Sequence, residues 1–241
     1  VIDPATLYTA IAATWPPAAT RRVGPWTIRD GQGGGKRVSA ATADGPFDAG
    51  DLPAAEDAMR ALGQDPLFMI RAGDDALDTL LADAGYRVID PVQVRAIPVA
   101  DLAQLPPPVT AFTLWQPLQI TQEIWAAGGI GTERLAVMDR VTGPKTSVLG
   151  RARDRAAGAA FVAIHGEIAF CHAVEVEPTQ RRQKTAVNMM RLAACWAQDR
   201  GATTLAVLVT DANDAANALY ASLNMQVVGH YHYRIKAPEE A

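Results

Sequence analysis

Three consecutive prolines, Pro106-Pro107-Pro108, constrain this chain more than any other stretch of it. Proline cannot continue a helix or donate to a central strand ladder, and a run of three favours a stiff extended connector. They divide the 241 residues into segments 1–105 and 106–241, each long enough for a modest domain. Apolar residues make up 49% of the chain and charged residues 20%, so a packed core is expected. With 22 basic and 26 acidic residues the net charge is −4, which argues against a general nucleic-acid binder. Any anion site must come from a local basic cluster. No apolar run reaches the roughly 18 residues needed to span a membrane, and Val1-Ile2-Asp3-Pro4 lacks the basic and apolar regions of a signal peptide. A cytoplasmic location is the expectation. Cys171 and Cys195 are too few for a disulfide framework or a four-cysteine zinc site.

Punctuation sets the expected elements. Asp3-Pro4 reads as a cap and first helical residue, starting a helix to about Thr14. Strands are expected over Trp26–Arg29 and Arg37–Ala41, with a Gly-rich hairpin loop between them. A helix over 53–62 ends at Gly63, Leu67–Arg71 is a strand, Asp74 and Asp75 start a helix stopped by Gly85, and Tyr86–Ile97 is a strand. In the second segment, Thr110–Trp115 is a strand and two short helices follow at 118–127 and 131–140. Strands Ser147–Arg151, Ala159–Ile164 and Glu167–Val176 precede the polar loop Pro178–Lys184. In the helix from Thr185 to Arg200, Ala186, Met189, Met190, Ala193, Trp196 and Ala197 form one apolar face, with Asn188, Arg191 and Gln198 opposite. Leu205–Thr210 is an apolar strand, Asp211 caps a helix to Leu223, and Met225–Ile235 closes as a strand.

The two segments resemble each other at an offset of 139. Ala55, Ala58, Asp75, Ala76, Leu80, Ala82, Val88 and Arg95 then meet Ala194, Ala197, Asp214, Ala215, Leu219, Ala221, Val227 and Arg234. The order of elements matches as well. The pattern fits an internal duplication, or two unrelated α/β segments with similar punctuation.

The stretch Val174-Glu175-Val176-Glu177-Pro178-Thr179-Gln180-Arg181-Arg182-Gln183-Lys184-Thr185-Ala186 joins an apolar strand to the long amphipathic helix. Amides at a helix start lack internal partners, and the helix dipole favours negative charge there. Arg181, Arg182 and Lys184 make this a candidate phosphate or pyrophosphate cradle in an otherwise acidic protein. A basic loop before a helix is also commonly just a solvated turn.

This stretch, together with Trp196–Ala202, Asp211–Tyr220 and Tyr231–Arg234, resembles the GNAT superfamily of acetyl-coenzyme A-dependent N-acetyltransferases over about residues 110–236. The resemblance implies a mixed-sheet α/β (α+β) GNAT-like fold at 106–241, with a tandem, degenerate GNAT-like or accessory domain at 1–105. It implies that the Val176-Glu177-Pro178 end of the strand and the loop Arg181-Arg182-Gln183-Lys184-Thr185-Ala186 wrap the coenzyme A pyrophosphate. Val174 and Val176 would offer backbone donors, Asn213 would help hold the cofactor, and Tyr220 would protonate the leaving thiolate. Asn213 also fits a helix-start residue, and Tyr220 also fits a packing residue. Lys184 stands where the family has its first loop glycine. A positive φ there would cost energy, whereas an ordinary φ would let the ammonium supplement the site; the second is expected.

Acetyl transfer to a primary amine in a ternary complex also needs a proton acceptor. Glu175, Glu177 and His172 are candidates, as is ordered water alone. A regular strand would put Glu175 and Glu177 on one face and His172 with Val174 on the other. The acceptor amine, on a small molecule, peptide or protein, is not specified by the sequence, nor is the oligomeric state. The alternative is a catalytically impaired acyl-coenzyme A binder that keeps the fold. Residues 42–47 lack a cationic cluster, so no cofactor site is expected in the first segment. Gly31-Gln32-Gly33-Gly34-Gly35-Lys36 approaches a P-loop but has one residue too few between its glycines. His230 and His232 lack a third ligand, so no metal is expected.

Overall fold

The computed structural model describes residues 2–236. Its elements are α1 (Pro4–Thr14), β1 (Ala19–Val23), β2 (Trp26–Asp30), α2 (Lys36–Ser39), β3 (Thr42–Ala43), α3 (Leu52–Arg60), β4 (Leu67–Arg71), α4 (Asp75–Asp83), β5 (Tyr86–Pro98), α5 (Val99–Leu102) and β6 (Ala111–Leu114). They continue with α6 (Gln119–Ala127), α7 (Thr132–Arg140), β7 (Lys145–Ala152), β8 (Arg155–His165), β9 (Ile168–Val176), α8 (Thr185–Gln198), β10 (Thr204–Thr210), α9 (Asp214–Ser222) and β11 (Gln226–Lys236). Local chemistry accounts for many of these bounds. Asp3 accepts from the Thr6 amide at 2.9 Å and Pro4 opens α1, while Gly63, Gly85 and Gly201 adopt positive φ just beyond helices.

The fold is mixed α/β. A sheet of eight strands runs β4-β11-β5-β10-β9-β8-β7-β6, and a smaller sheet runs β1-β2-β3. The two are linked by a parallel bridge between Ala41 and Phe68. In the large sheet only β9 and β10 pair in parallel; every other neighbouring pair is antiparallel. Along β8, Ala160, Val162 and Ile164 face the core under α8, whereas Ala159, Phe161 and Ala163 face the core under α6 and α7. This two-residue alternation lets one strand serve two apolar layers.

The segments on either side of the prolines share the large sheet. β11 lies between β4 and β5, and β5 lies between β11 and β10. The ladder is pseudo-two-fold about β5 and β11. Val227 stands opposite Arg95 and Arg234 opposite Val88, so the offset of 139 exchanges the two pairs. It likewise carries Ala206–Ala96 onto Leu67–Ile235, and Thr210–Val92 onto Arg71–Tyr231. Thus β4-α4-β5 and β10-α9-β11 hold pseudo-symmetric places in the large sheet.

Three local expectations need correction. Arg37–Ala41 is not a strand: Lys36–Ser39 form a short helix, because the preceding glycines pack against α7 and leave no room for an extended hairpin. Asp211 does not cap α9; Asn213 does, accepting from the Ala216 amide at 3.1 Å. Asn188 is buried, since α8 is covered on more than one side. No helix among the described residues is long and apolar enough to cross a membrane.

Candidate active site

The single parallel pair is also where the sheet opens. β9 and β10 are in register from Ile168–Thr204 to Cys171–Val207, and beyond that they part. The cause lies in β9. Ala173 takes φ 51 and forms a bulge, with four residues of β9 (His172 to Glu175) spanning three of β8 (Ala159 to Phe161). Trp125 of α6 pins it, its Nε1–H donating to the Ala173 carbonyl at 2.8 Å. The parted edges have no ladder partner, and a cavity of about 370 Å³ opens between them.

Cys171, His172, Ala173 and Val174 of β9 line one side of this cavity, and Leu208, Val209 and Thr210 of β10 the other. Asn213, Ala216 and Tyr220 of α9 complete that side. The seven-residue spacing of Asn213 and Tyr220 is two helical turns, which brings both to the cavity face. Tyr220 is 4% exposed, and its hydroxyl makes no hydrogen bond among the described residues. Burial, with the Cys171 thiol nearby, raises its pKa well above the ordinary phenol value, so it carries its proton at neutral pH.

The loop after β9 runs along a different edge of the opening. Arg182 and Lys184 have φ of 64° and 63°, with Gln183 between them outside that region. Alternation of this kind turns successive N–H groups toward one concave side. The backbone N–H groups of residues 182–187 make no hydrogen bond among the described residues, and no side chain caps α8. The Thr185 hydroxyl beneath them is buried without a partner. Arg181 donates from Nε to the Val176 carbonyl at 3.3 Å, holding the loop to the strand end. These free amides, an unpaired hydroxyl and exposed cations fit a bound diphosphate. The expectation of an ordinary φ at Lys184 is corrected: the residue is left-handed and does what glycine would do there.

The base candidates separate. The bulge breaks the expected alternation along β9. Glu175 lies over Gly128 at the α6–α7 junction, where an added Cβ would come within 2.6 Å of its side chain. Burial raises the Glu175 pKa, partly offset by Arg181 at 3.9 Å. His172 has both ring nitrogens engaged. Arg37 donates to Nδ1 at 3.2 Å, which makes Nε2 the protonated nitrogen facing the Thr14 hydroxyl at 3.0 Å. That hydroxyl donates in turn to the Ala10 carbonyl. Burial and the neighbouring Arg37 hold the His172 pKa well below its ordinary value, so the ring stays neutral.

Of the residues singled out from sequence, the cavity gathers Val174, Asn213 and Tyr220, while Val176, Arg181, Arg182, Gln183, Lys184, Thr185 and Ala186 lie on the adjoining edge. Sequence reasoning missed the opposite wall. Trp15, Gly34, Gly35, Lys36, Arg37 and Asp90, all from the first segment, line it. The Gly31–Lys36 run was the available signal. Elsewhere His232 is tied to Asp78 at 2.8 Å, and no cluster of metal-binding side chains occurs among the described residues.

Residues 119–225 match the model of the acetyltransferase (GNAT) family. An uncharacterized N-acetyltransferase of Bacillus subtilis, YobR, is 23% identical over 237 residues, spanning 93% of this chain and 95% of that protein. A GCN5-related N-acetyltransferase from Kribbella flavida superposes with a TM-score of 0.69 at 19% identity, covering 98% of this chain and 96% of its own. A tandem GNAT protein from the clavulanic acid biosynthesis pathway superposes with a TM-score of 0.61 at 14% identity, covering 95% and 88%. The stretch that contains the parted strands, the free amides and Tyr220, residues 119–225, is thus a domain of the acetyltransferase (GNAT) family.

Proposed function

We propose that the protein transfers an acetyl group from acetyl-coenzyme A to a primary amine, by direct attack with both substrates bound. Acetyl-coenzyme A supplies the acetyl group as a thioester. The observation that carries the reading is the unbonded hydroxyl of the largely buried Tyr220, which lines the opening of β9 and β10, together with a loop whose amides at 182–187 are free among the described residues.

In this reading Arg181, Arg182, Lys184 and the amides of the loop through Thr185 and Ala186 hold the diphosphate. The unpaired edge of β9 at Val174 and Val176 provides N–H donors for negative charge on the carbonyl oxygen. Tyr220, kept protonated by burial, delivers its proton to the departing sulfur. Asn213 acts through the start of α9, which it caps, and so fixes where Tyr220 points. Glu175 accepts the amine proton through water, its raised pKa making it a better base.

The first segment supports this site as a degenerate GNAT-like copy. At the pseudo-two-fold position of Thr210 stands Arg71, whose guanidinium donates to Asp74 at 2.9 Å, to the Ala43 carbonyl at 2.7 Å and to Asp44 at 3.2 Å. It closes the place where β3 and β4 would otherwise part.

One observation favours a second reading, an acyl-coenzyme A binder without turnover: a lysine side chain at position 184, where the family has glycine. Calorimetric titration of acetyl-coenzyme A, with thiol release measured over an amine panel, separates the two. The first reading expects turnover that falls about 10- to 100-fold in Tyr220→Phe while acetyl-coenzyme A affinity changes less than about twofold. Equal loss of both assigns Tyr220 to packing, and tight binding without turnover on any amine favours the second reading.

A further inference from the structure

We propose that the cavity selects an acceptor amine that also carries a carboxylate, an amino-acid-like zwitterion whose anionic end is held by Arg37 and Arg134. The inference rests on the acetyl-transfer reading for the fate of the amine, but its recognition element stands apart from the cofactor edge.

Charge in the cavity is lopsided. Lys36, Arg37 and Arg134 line it, and Asp90 is the one carboxylate among the lining residues. Asp90 is already committed to Lys36 at 2.6 Å. His172, neutral, adds no charge of either sign. Two guanidinium groups are left without an ion pair among the described residues. Arg37 spends one nitrogen on His172 and lies over the Trp15 ring at 5.6 Å. Its Nε is buried with no partner, and its second terminal nitrogen has none either. Arg134 makes a single long contact, 3.4 Å, to the Gly129 carbonyl.

The fold brings these cations together by design of the glycine run. At Gly34 a Cβ would lie 2.6 Å from Val137 of α7, and at Gly35 it would lie 3.6 Å from the Arg134 guanidinium. Only a backbone without side chains approaches α7 so closely, and that approach brings Arg37 and Arg134 into the lining of one cavity. None of the loop residues 181–186 lines the cavity, so this recognition element is distinct from the proposed diphosphate edge. The remaining surface there, from Trp15, Tyr231 and Tyr233, is aromatic and suits an apolar side chain. A simple cationic amine would meet net positive charge, whereas a carboxylate would compensate guanidiniums that are otherwise unpaired.

The test measures kcat/KM by thiol release for α-, β- and γ-amino acids, each against its carboxamide and its decarboxylated amine. Direct calorimetric binding of the same compounds is measured without acetyl-coenzyme A, and acetyl-coenzyme A binding is measured alone. We expect at least a tenfold preference for the carboxylate form in turnover, or in direct binding if turnover is absent. Arg37→Gln should erase that preference and Arg37→Lys should keep part of it, with acetyl-coenzyme A affinity unchanged. Arg134→Gln, at a half-buried position of α7, gives an independent reading should Arg37→Gln fail to fold. Amines acetylated without regard to the carboxylate overturn the inference and leave acetyl transfer standing. Acetyl-coenzyme A that does not bind, beside amino acids that bind through Arg37, overturns acetyl transfer and leaves the inference standing. A carboxylate preference that appears only on the donor, as succinyl- over acetyl-coenzyme A with neutral amines, overturns it as well.

Discussion

Asp78 is the hinge pin between the first segment and the last strand, and its removal has a calculable cost. Its carboxylate accepts from Arg234 at 2.7 and 3.1 Å and from His232 at 2.8 Å, so α4 is tied to β11 across more than 150 residues of sequence. The Arg234 hydrogen bonds, opposed by desolvation and assisted by His232, hold its pKa at about 2 against an ordinary 3.8. At about 1.4 kcal/mol per unit this depression corresponds to about 2 kcal/mol of stability at neutral pH. The side chain is 31% exposed, and screening by water brings the usable value to about 1–2 kcal/mol. Because the folded-state pKa is the lower one, the contribution is present in full above pH 4. It falls as pH drops from 4 to 2 and is absent below that. Asp78→Asn should therefore lower stability at pH 7 by about 1–2 kcal/mol, or a few degrees in Tm for a chain of this size. Urea unfolding of both proteins at pH 7 and pH 3 checks this, the gap shrinking to about half at pH 3. A gap of equal size at both values would refute the electrostatic account and assign the loss to packing.

Substitutions at two further positions test the loops that shape the site. Gly34→Ala should destabilise the protein by about 1–3 kcal/mol in chemical denaturation, because the new methyl meets Val137 and Val38, both fully buried. An unchanged midpoint would mean the glycine run does not pack on α7 as described. Lys184→Ala and Lys184→Gly both delete the ammonium, but only alanine keeps a Cβ at φ 63. The alanine variant should be less stable than the glycine variant by about 1 kcal/mol, and equal stabilities would rule out a left-handed loop residue.

Local signals were readable wherever an element is defined by its own ends. Asp3-Pro4, Gly63, Gly85 and Gly201 mark helix boundaries that involve only neighbouring backbone groups, and the structure places them within a residue or two. The stretch Arg37–Ala41 misled because Val38, Ala40 and Ala41 are all buried apolar residues, as in a strand, yet what buries them is α7 and β4 rather than a hairpin partner. The alternation along β9 failed for a similar reason. Ala173 carries no sequence mark of a bulge, and the carbonyl it releases is taken by Trp125, 48 residues away.

The amino-acid order by itself determined most of the helices and strands, though not β1, α2 or α5, together with the residue matches at an offset of 139, the basic loop ahead of a long helix, and the family these features resemble. Tertiary structure alone decided that β11 enters between β4 and β5, that His172 is a neutral, fully bonded ring, and that Arg37, Arg134 and Asp90 line the same cavity as Tyr220. The physical reason is the range of the forces involved. Caps, turns and amphipathic faces are satisfied within a few residues, whereas strand partners and the compensation of buried charge depend on groups that only the folded chain brings together.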